Sequence, residues 1–258
     1  MWALFIPGIS LVLVIYLCIA KERDVILPRG NPVFGFLLCA LIPALLISRI
    51  FWAPFWIPAG SMKPNLIIGD FITVTPVGPN LSPGDVLVFQ HPVHGHHFIK
   101  RLIGKPGDKL QIVDGLVYIN GVVASQRPDG YFIEKQLVQG SHRSRPRCTN
   151  LVGDGGICKK EQILEVLPNG HEQKILNIGS QRSDNTPVYL VPEGHYFFLG
   201  DNRDNSSDSR VSNAAGGVGF VPLENVVGRA SRVVFSSAGS SMLHIRDWRK
   251  DRFFANVE

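Results

Sequence analysis

The sequence predicts a mainly β domain that follows two transmembrane helices, and three observations support this fold class. The long apolar runs are confined to residues 1–58. Beyond residue 58, short apolar runs are separated by Gly, Pro, Asn and Asp, a pattern typical of strands joined by turns. This second part has no internal repeat and no long helical pattern, so we expect an all-β domain over 58–258.

The charge balance argues against a nucleic-acid partner. The chain of 258 residues has 26 Lys+Arg and 21 Asp+Glu. This small basic excess is not gathered into a stripe with interleaved aromatic residues, which nucleic-acid-binding domains usually show.

The first apolar run, residues 1–20, has no charged side chain after its start and as a helix would be roughly 28 Å long. That length spans the bilayer core, and the lack of a basic N-terminal region favours a transmembrane helix over a cleavable signal peptide. The loop 21–32 contains three Lys/Arg, so the positive-inside rule places it in the cytoplasm. A second predicted span, 33–57, ends in an aromatic belt of Trp52 and Trp56. Residues 58–258 are then extracytoplasmic.

Six apolar runs of the second part predict strands, at 71–74, 86–89, 109–113, 116–119, 196–199 and 232–235. The dipeptides Asp114-Gly115 and Asn120-Gly121 predict tight hairpin turns. The polar, Gly-containing stretch 141–186 predicts an irregular surface insertion.

The four cysteines divide into two pairs. Cys18 and Cys39 lie in the predicted spans, where they serve as small apolar residues. Cys148 and Cys158 lie in the exported part, where an oxidising compartment favours a disulfide between them. The alternative is two unpaired buried thiols. No Cys or His spacing predicts a zinc site.

Two segments predict chemistry together. Ser61 lies in a Gly-Ser-Met-Lys-Pro turn directly after the second apolar run, and a serine in such a turn is by itself usually structural. Lys100 lies in the alternating segment 97–103, where it shares a face with Phe98 and Leu102. A lysine on an apolar face either extends its amine to solvent or loses its charge more easily, and the second state is the one that a general base requires.

Two other polar segments could bind metals. In the run 200–210, Asp204, Ser206 and Asp208 are spaced like calcium ligands, but the loop glycine and the distal glutamate are missing. The histidine cluster at 91–97 could bind a metal or supply a base for Ser61, although its Pro and Gly favour a solvated hairpin tip. We therefore predict no metal and no cofactor.

Four segments resemble, in order and spacing, the motifs of bacterial type I signal peptidases, the leader peptidases of the serine–lysine class. They are 57–66, 84–89, 98–108 and 200–210, and with the predicted spans the resemblance covers nearly the whole chain. It implies a signal-peptidase-like, largely β catalytic domain with Ser61 as nucleophile and Lys100 as general base. It further implies that Ser206 orients the lysine through a hydrogen bond, while Asp208 and Arg210 brace the site.

The resemblance also implies a substrate pocket with an apolar wall, although ordinary core packing explains the same residues equally well. The matching positions are Phe55, Ile57, Met62, Leu66, Ile72, Val88 and Ile99. The substrate would lie extended as an added strand, with small residues at its −1 and −3 positions.

One position departs from the family pattern. Gram-negative members usually have serine where this chain has Ala59, and that hydroxyl helps the Ser61 backbone N–H to bind the oxyanion. Losing an oxyanion donor costs about 2.7–4 kcal/mol where catalysis depends on it. Either another donor or a water acts with the Ser61 N–H, or the enzyme is slower, or the residue is an engineered change.

These features predict a multi-pass serine endopeptidase of the bacterial inner membrane, with its catalytic domain on the periplasmic side, that removes signal peptides from exported preproteins. The lipid bilayer and preproteins are then its partners. Two alternatives stay open: a serine–lysine peptidase that matures a single exported protein, such as a conjugation pilin, or a catalytically impaired, membrane-anchored β module that only binds. Ala59 keeps the last one open.

Overall fold

The computed structural model describes residues 53–78, 80–140, 143–239 and 244–257. The predicted helix 1–20, the loop 21–32 and residues 33–52 of the second predicted span, with Cys18, Cys39 and Trp52, lie outside the described residues. Within the ranges described, no helix is long and apolar enough to cross a bilayer.

The described part is mainly β, as the sequence predicts, with short 3-10 turns between strands. All six predicted strands are present, and both hairpin dipeptides have the left-handed backbone that their turns require, with φ of 49° at Asp114 and 53° at Asn120. The strands are β1 Ala53–Trp56, β2 Asp70–Thr75, β3 Val86–Gln90, β4 His97–Gly104, β5 Lys109–Val113, β6 Leu116–Ile119, β7 Val122–Val123, β8 Ser125–Lys135, β9 Ile157–Val166, β10 Glu172–Asn177, β11 Tyr189–Leu190, β12 His195–Leu199, β13 Val221–Pro222 and β14 Val226–Ser236.

The strands form three sheets in which every strand pair is antiparallel. The largest has the order β1-β2-β14-β3-β4-β12-β13, so the late strand β14 separates β2 from β3. A three-stranded sheet has the order β10-β9-β8, and a four-stranded sheet has the order β11-β5-β6-β7.

The large sheet is buried on both faces around β3, which explains why residues 86–89 of this strand are continuously apolar rather than alternating. Val86 and Val88 pack into one apolar cluster, and Leu87 and Phe89 pack into another. On β4, Lys100 lies opposite Leu87, on the face that also holds Phe98 and Leu102. The predicted faces of this strand are therefore confirmed.

The predicted boundary of the second span is wrong. Residues 53–56 form strand β1 of the large sheet and pair with β2, with Phe55 opposite Ile72. Proline at position 54 removes a helical N–H and disfavours helix at the residue before it. The continuous apolar run in the sequence hides this change, because apolar character alone does not distinguish a helix from a buried strand.

The prediction of an irregular insertion at 141–186 is wrong in part. This region contains β9 and β10, which pair with β8 to form the three-stranded sheet. The buried positions of these strands include Lys160, Glu165 and Gln173. Because polar residues occupy buried positions, the hydropathy alternation that predicts a strand is absent from the sequence.

The disulfide predicted between Cys148 and Cys158 is present, with Cα atoms 5.2 Å apart. It joins the segment before β9 to a buried position on that strand. The closed loop limits the conformations of the unfolded chain, which is how such a bond stabilises a fold.

Candidate active site

Ser61 lies in the loop that connects β1 to β2, which we call the Ser61 loop (residues 57–69). Two backbone hydrogen bonds close this loop, from the Ile57 N–H to the Asp70 carbonyl at 2.8 Å and from the Gly69 N–H to the Ile57 carbonyl at 3.0 Å. The Leu66 N–H donates to the Met62 carbonyl at 2.8 Å, and both side chains are buried. The loop is thus fixed by its own backbone and by its apolar residues.

The segment after β12 holds the Ser61 loop from one side. The Asn202 backbone N–H donates to the Ser61 carbonyl at 3.0 Å, and its side-chain amide donates to the Gly60 carbonyl at 2.9 Å. Sequence reasoning gave Asn202 no role, because an amide in a polar run gives no sign of its distant partners.

Lys100 reaches the serine hydroxyl from β4. Its Nζ lies 2.7 Å from Ser61 Oγ and 3.0 Å from the Ile99 carbonyl, while the residue is only 3% exposed. The amine also lies 5.4 Å from the centre of the Phe98 ring. The two residues that the sequence singles out are therefore in hydrogen-bond contact.

The buried position of Lys100 makes its amine easier to deprotonate than that of an exposed lysine. Burial lowers the pKa of Lys100 from 10.5 to about 8, although the negative charges of Asp208 and Asp201 oppose the shift. Lys100 is the donor to Ser61 Oγ when protonated. The neutral amine instead accepts the hydroxyl hydrogen, which is the first step of a general-base reaction.

Asp208 and Arg210 brace the loop 200–210, in line with the expectation from the resemblance. Arg210 Nε lies 2.8 Å from Asp208 Oδ1, and its Nη2 lies 2.9 Å from Oδ2. Asp208 Oδ2 also accepts the Gly200 N–H at 3.1 Å. The carboxylate therefore joins the two ends of the loop.

A buried ion pair that the sequence did not indicate supports the same loop. Arg101, next to Lys100 on β4, donates through Nε and Nη2 to the two carboxylate oxygens of Asp201, each at 2.8 Å. Asp201 Oδ2 also accepts the Asn65 amide at 2.7 Å. The period-two pattern places Arg101 on the face opposite to Lys100, but it cannot identify the partner.

Ser206 differs from its expected role. Within the described ranges its buried Oγ has no hydrogen-bond partner, so the predicted bond to Lys100 is absent here. The hydroxyl nevertheless lies beside the site, because a Cβ added at Gly200 would be 2.2 Å from Ser206 Oγ and 2.7 Å from the Ser61 carbonyl. Only glycine at position 200 permits this close approach.

Ala59, at the expected oxyanion position, presents only a methyl group. In the part of the chain that the structure describes, the Ser61 backbone N–H has no hydrogen-bond acceptor. It is therefore free to donate to a developing oxyanion, whereas the side chain of Ala59 cannot.

The seven residues predicted to form the pocket wall belong to one apolar cluster, which lies at the Ser61 loop. Five of them are buried core: Ile57, Met62, Leu66, Ile72 and Val88. Phe55 and Ile99 are only partly buried. A substrate could touch these two directly, while the five core residues lie behind them.

The histidine cluster is built around a structural contact. His91 is buried, its Nδ1 accepts the Val93 and His94 backbone N–H groups, and its Nε2 lies 3.0 Å from the Gly217 carbonyl. The His97 ring instead makes an edge-to-face contact with the Phe55 ring. Among the residues described, no group of three or more His, Cys, Asp or Glu side chains has the geometry to hold a metal ion.

A serine hydroxyl bonded to a buried lysine of lowered pKa, in a mainly β domain, is typical of serine–lysine hydrolases. Comparisons with known proteins identify the family of the chain. The family model described as signal peptidase, peptidase S26, matches residues 32–235. The signal peptidase I of Rickettsia typhi (strain ATCC VR-144 / Wilmington) is 35% identical, in an alignment that covers 79% of this chain and 78% of the relative.

The signal peptidase I of Rickettsia akari (strain Hartford) is 35% identical, in an alignment that covers 86% of this chain and 90% of the relative. A crystal structure of a signal peptidase I from Enterococcus faecalis V583 is 28% identical with a TM-score of 0.32, over 59% of this chain and 98% of that chain. The chain belongs to the signal peptidase family, peptidase S26. It is a serine endopeptidase, a hydrolase.

Proposed function

We propose that this enzyme removes signal peptides from exported preproteins, with Ser61 as nucleophile and Lys100 as general base. The observation that carries the proposal is the 2.7 Å contact between Ser61 Oγ and the Nζ of a buried lysine whose pKa is lowered to about 8. The relatives named signal peptidase I support the choice of substrate.

The reaction follows from this geometry. Neutral Lys100 takes the hydroxyl proton of Ser61 while Oγ attacks the scissile carbonyl, and the resulting ammonium protonates the leaving amine. The lysine, neutral again, takes a proton from the water that attacks the acyl-enzyme, and then gives that proton to Ser61 Oγ as the acid product leaves. The Ser61 backbone N–H donates to the oxyanion of both tetrahedral intermediates.

The sheet edges favour a substrate that binds as an extended strand. β1 is the edge strand of the large sheet, and β12 pairs with β4 only from Arg101 onward. Residues 97–100 of β4 therefore have an open edge close to β1, as the Phe55–His97 ring contact indicates. A peptide that adds to these edges brings its scissile bond to Ser61, and small residues at −1 and −3 fit against Phe55 and Ile99.

We also infer that the enzyme works at the bilayer on the extracytoplasmic side. The uncharged runs within residues 1–52 and the loop charges at 21–32 support this placement. Trp56, which directly follows these runs, is 46% exposed and so is available to an interface.

The test is cleavage of a preprotein by the purified full-length chain, in detergent and in vesicles. Ser61→Ala and Lys100→Ala should each lower kcat by about 10⁴-fold or more, because members of a catalytic unit fail together. The matched controls are Ser207→Ala and Lys105→Ala, exposed neighbours of the site loops, which should stay at the wild-type rate.

Turnover by either dyad variant, in a preparation free of host peptidase, would exclude the dyad. An intact dyad that cleaves one exported protein but not a general preprotein would instead assign the narrower peptidase function.

A further inference from the structure

A second buried lysine, Lys63, lies two residues after Ser61 in the Ser61 loop. It is 4% exposed, and its Nζ lies 2.5 Å from Glu134 Oε2 and 2.7 Å from Gln139 Oε1. Gln139 Nε2 also donates to Glu134 Oε2 at 2.9 Å. These partners lie on β8 and just after it, so Lys63 connects the Ser61 loop to the three-stranded sheet.

The charges of this contact are unusual for a buried site. Lys160 on β9 is fully buried, and its Nζ lies 2.8 Å from Glu134 Oε1, so two lysines share one carboxylate. Burial lowers the pKa of Lys63, and Glu134 opposes this shift only in part. Burial acts to raise the pKa of Glu134, but Lys63 and Lys160 hold it below its ordinary value. Buried charges of this kind add little net stability, and a role in fixing geometry is a hypothesis to test here.

The 134–140 segment, which is the end of β8 and the residues after it, touches the Ser61 loop on both sides of the serine. The stem of Lys63 runs along Gly60, where an added Cβ would lie 3.1 Å from Lys63 Cε. The backbone of Gly140 packs on the Pro58 carbonyl, 2.2 Å from the position that a Cβ would take. Residues 58–63 are therefore held between the 134–140 segment and Asn202.

We propose that Lys63 is a positioning residue for the reaction, which rests on the proposed Ser61–Lys100 dyad. Its ion pair with Glu134 holds the Ser61 loop so that Ser61 Oγ stays at Lys100 Nζ. Burial lowers the pKa of Lys100, and the negative charges of Asp208 and Asp201 oppose that shift. We therefore expect Lys63 to act on the position of the nucleophile rather than on the basicity of the amine.

The test is Lys63→Met in the full-length enzyme. Because Lys160 and Glu134 remain as a balanced pair, the variant should fold with a Tm no lower than that of the wild type. We expect kcat to fall about 10- to 100-fold, the cost of a nucleophile displaced by about 1 Å, with little change in KM. The apparent pKa of the acid limb of the pH–rate profile should stay where it is in the wild type.

Two variants separate positioning from structure. Lys160→Met removes the other lysine of the same carboxylate and should leave kcat near the wild-type value, because Lys160 forms its ion pair with Glu134 and not with the Ser61 loop. Lys63→Gln keeps a side chain that can donate to Glu134, so it should recover part of the lost kcat. This variant also serves as the test if Lys63→Met does not fold.

The proposal is overturned if Lys63→Met turns over at the wild-type rate, if Lys160→Met loses as much kcat as Lys63→Met, or if the acid limb shifts. Failure of the dyad itself has a different signature, since Ser61→Ala would then still cleave the preprotein. If Ser61→Ala and Lys100→Ala lose all activity while Lys63→Met keeps the wild-type kcat, only the positioning role of Lys63 is excluded.

Discussion

Two buried lysines lie near Ser61: Lys63 in the same loop and Lys100 on β4. The two differ in the groups that their amines contact. Lys63 Nζ contacts a carboxylate, at 2.5 Å from Glu134. Lys100 Nζ contacts the Ser61 hydroxyl and the Ile99 carbonyl. The carboxylates of Asp208 and Asp201 affect its pKa only through their charge. Burial lowers the pKa of both amines. The comparison teaches that burial alone does not make a lysine a general base. Lys63 contacts the carboxylate of Glu134 and therefore serves as an anchor that holds the Ser61 loop, whereas Lys100 contacts no carboxylate among the described residues and can lose its proton.

The sharpest test of this difference is the pH dependence of catalysis. Below about pH 8 we expect kcat/KM to rise about tenfold per pH unit and then to level off, because only the neutral amine of Lys100 accepts the proton. The measurement is the kcat/KM profile of the free enzyme on a peptide substrate. An acid limb near the ordinary histidine pKa of about 6.5 would point to a histidine instead and would remove Lys100 as the base.

A second test uses stability. Lys100→Met should raise the free energy of unfolding at neutral pH by up to about 3 kcal/mol, since the pKa of Lys100 falls from 10.5 to about 8 on folding and each unit is worth about 1.4 kcal/mol. The unfolded wild-type chain binds more protons between about 8 and 10.5, so wild-type stability rises with pH through that window. The advantage of the variant is therefore complete below about pH 8 and disappears by about pH 10.5.

Urea unfolding of both proteins, below and above that window, measures this effect, and Lys63→Met is the matched comparison. Its gain should be smaller, because Glu134 compensates the charge of Lys63 in the fold. Equal gains at the two positions, or a loss for Lys100→Met at neutral pH, would contradict the distinction between anchor and base.

The smallest expected effect is that of Ala59→Ser. An added hydroxyl supplies a candidate oxyanion donor beside the Ser61 N–H, so kcat/KM should stay equal or rise, by no more than the roughly 10²–10³-fold that one such donor is worth. The change leaves both lysines in place, so the pH profile should keep its shape. A many-fold fall with an unchanged fold would show that another group already occupies the oxyanion position.

The sequence predicts the parts of the fold in which apolar pattern and turn chemistry agree. The hairpin of β5 and β6 has the predicted bounds, because alternating apolar residues meet an Asp-Gly turn. β9 and β10 were missed because their buried positions hold Lys160, Glu165 and Gln173. The change from the predicted span to β1 was missed because both are apolar.

For the candidate site, the sequence predicts the residues with unusual local settings but not their long-range partners. Ser61 and Lys100 stood out through a turn and an apolar face, and the structure brings them together. Asn202, Asp201 with Arg101, and Glu134 with Lys63 depend on contacts between distant segments, which no local pattern encodes. The bond expected of Ser206 came from resemblance alone, and in this structure the hydroxyl is unpaired within the described ranges.

The place of β14 in the large sheet determines when, during synthesis of the chain, the active site can form. The loop with Ser61 leads into β2, while Lys100 follows β3 in the β3–β4 hairpin, and within the large sheet β14 pairs with both β2 and β3. A nascent chain in which Ser61 and Lys100 have already been made still lacks β14, because this strand begins at Val226. Such non-local pairing forms late in folding. We therefore expect peptidase activity to appear only after β14 has been made, which is close to the end of the chain.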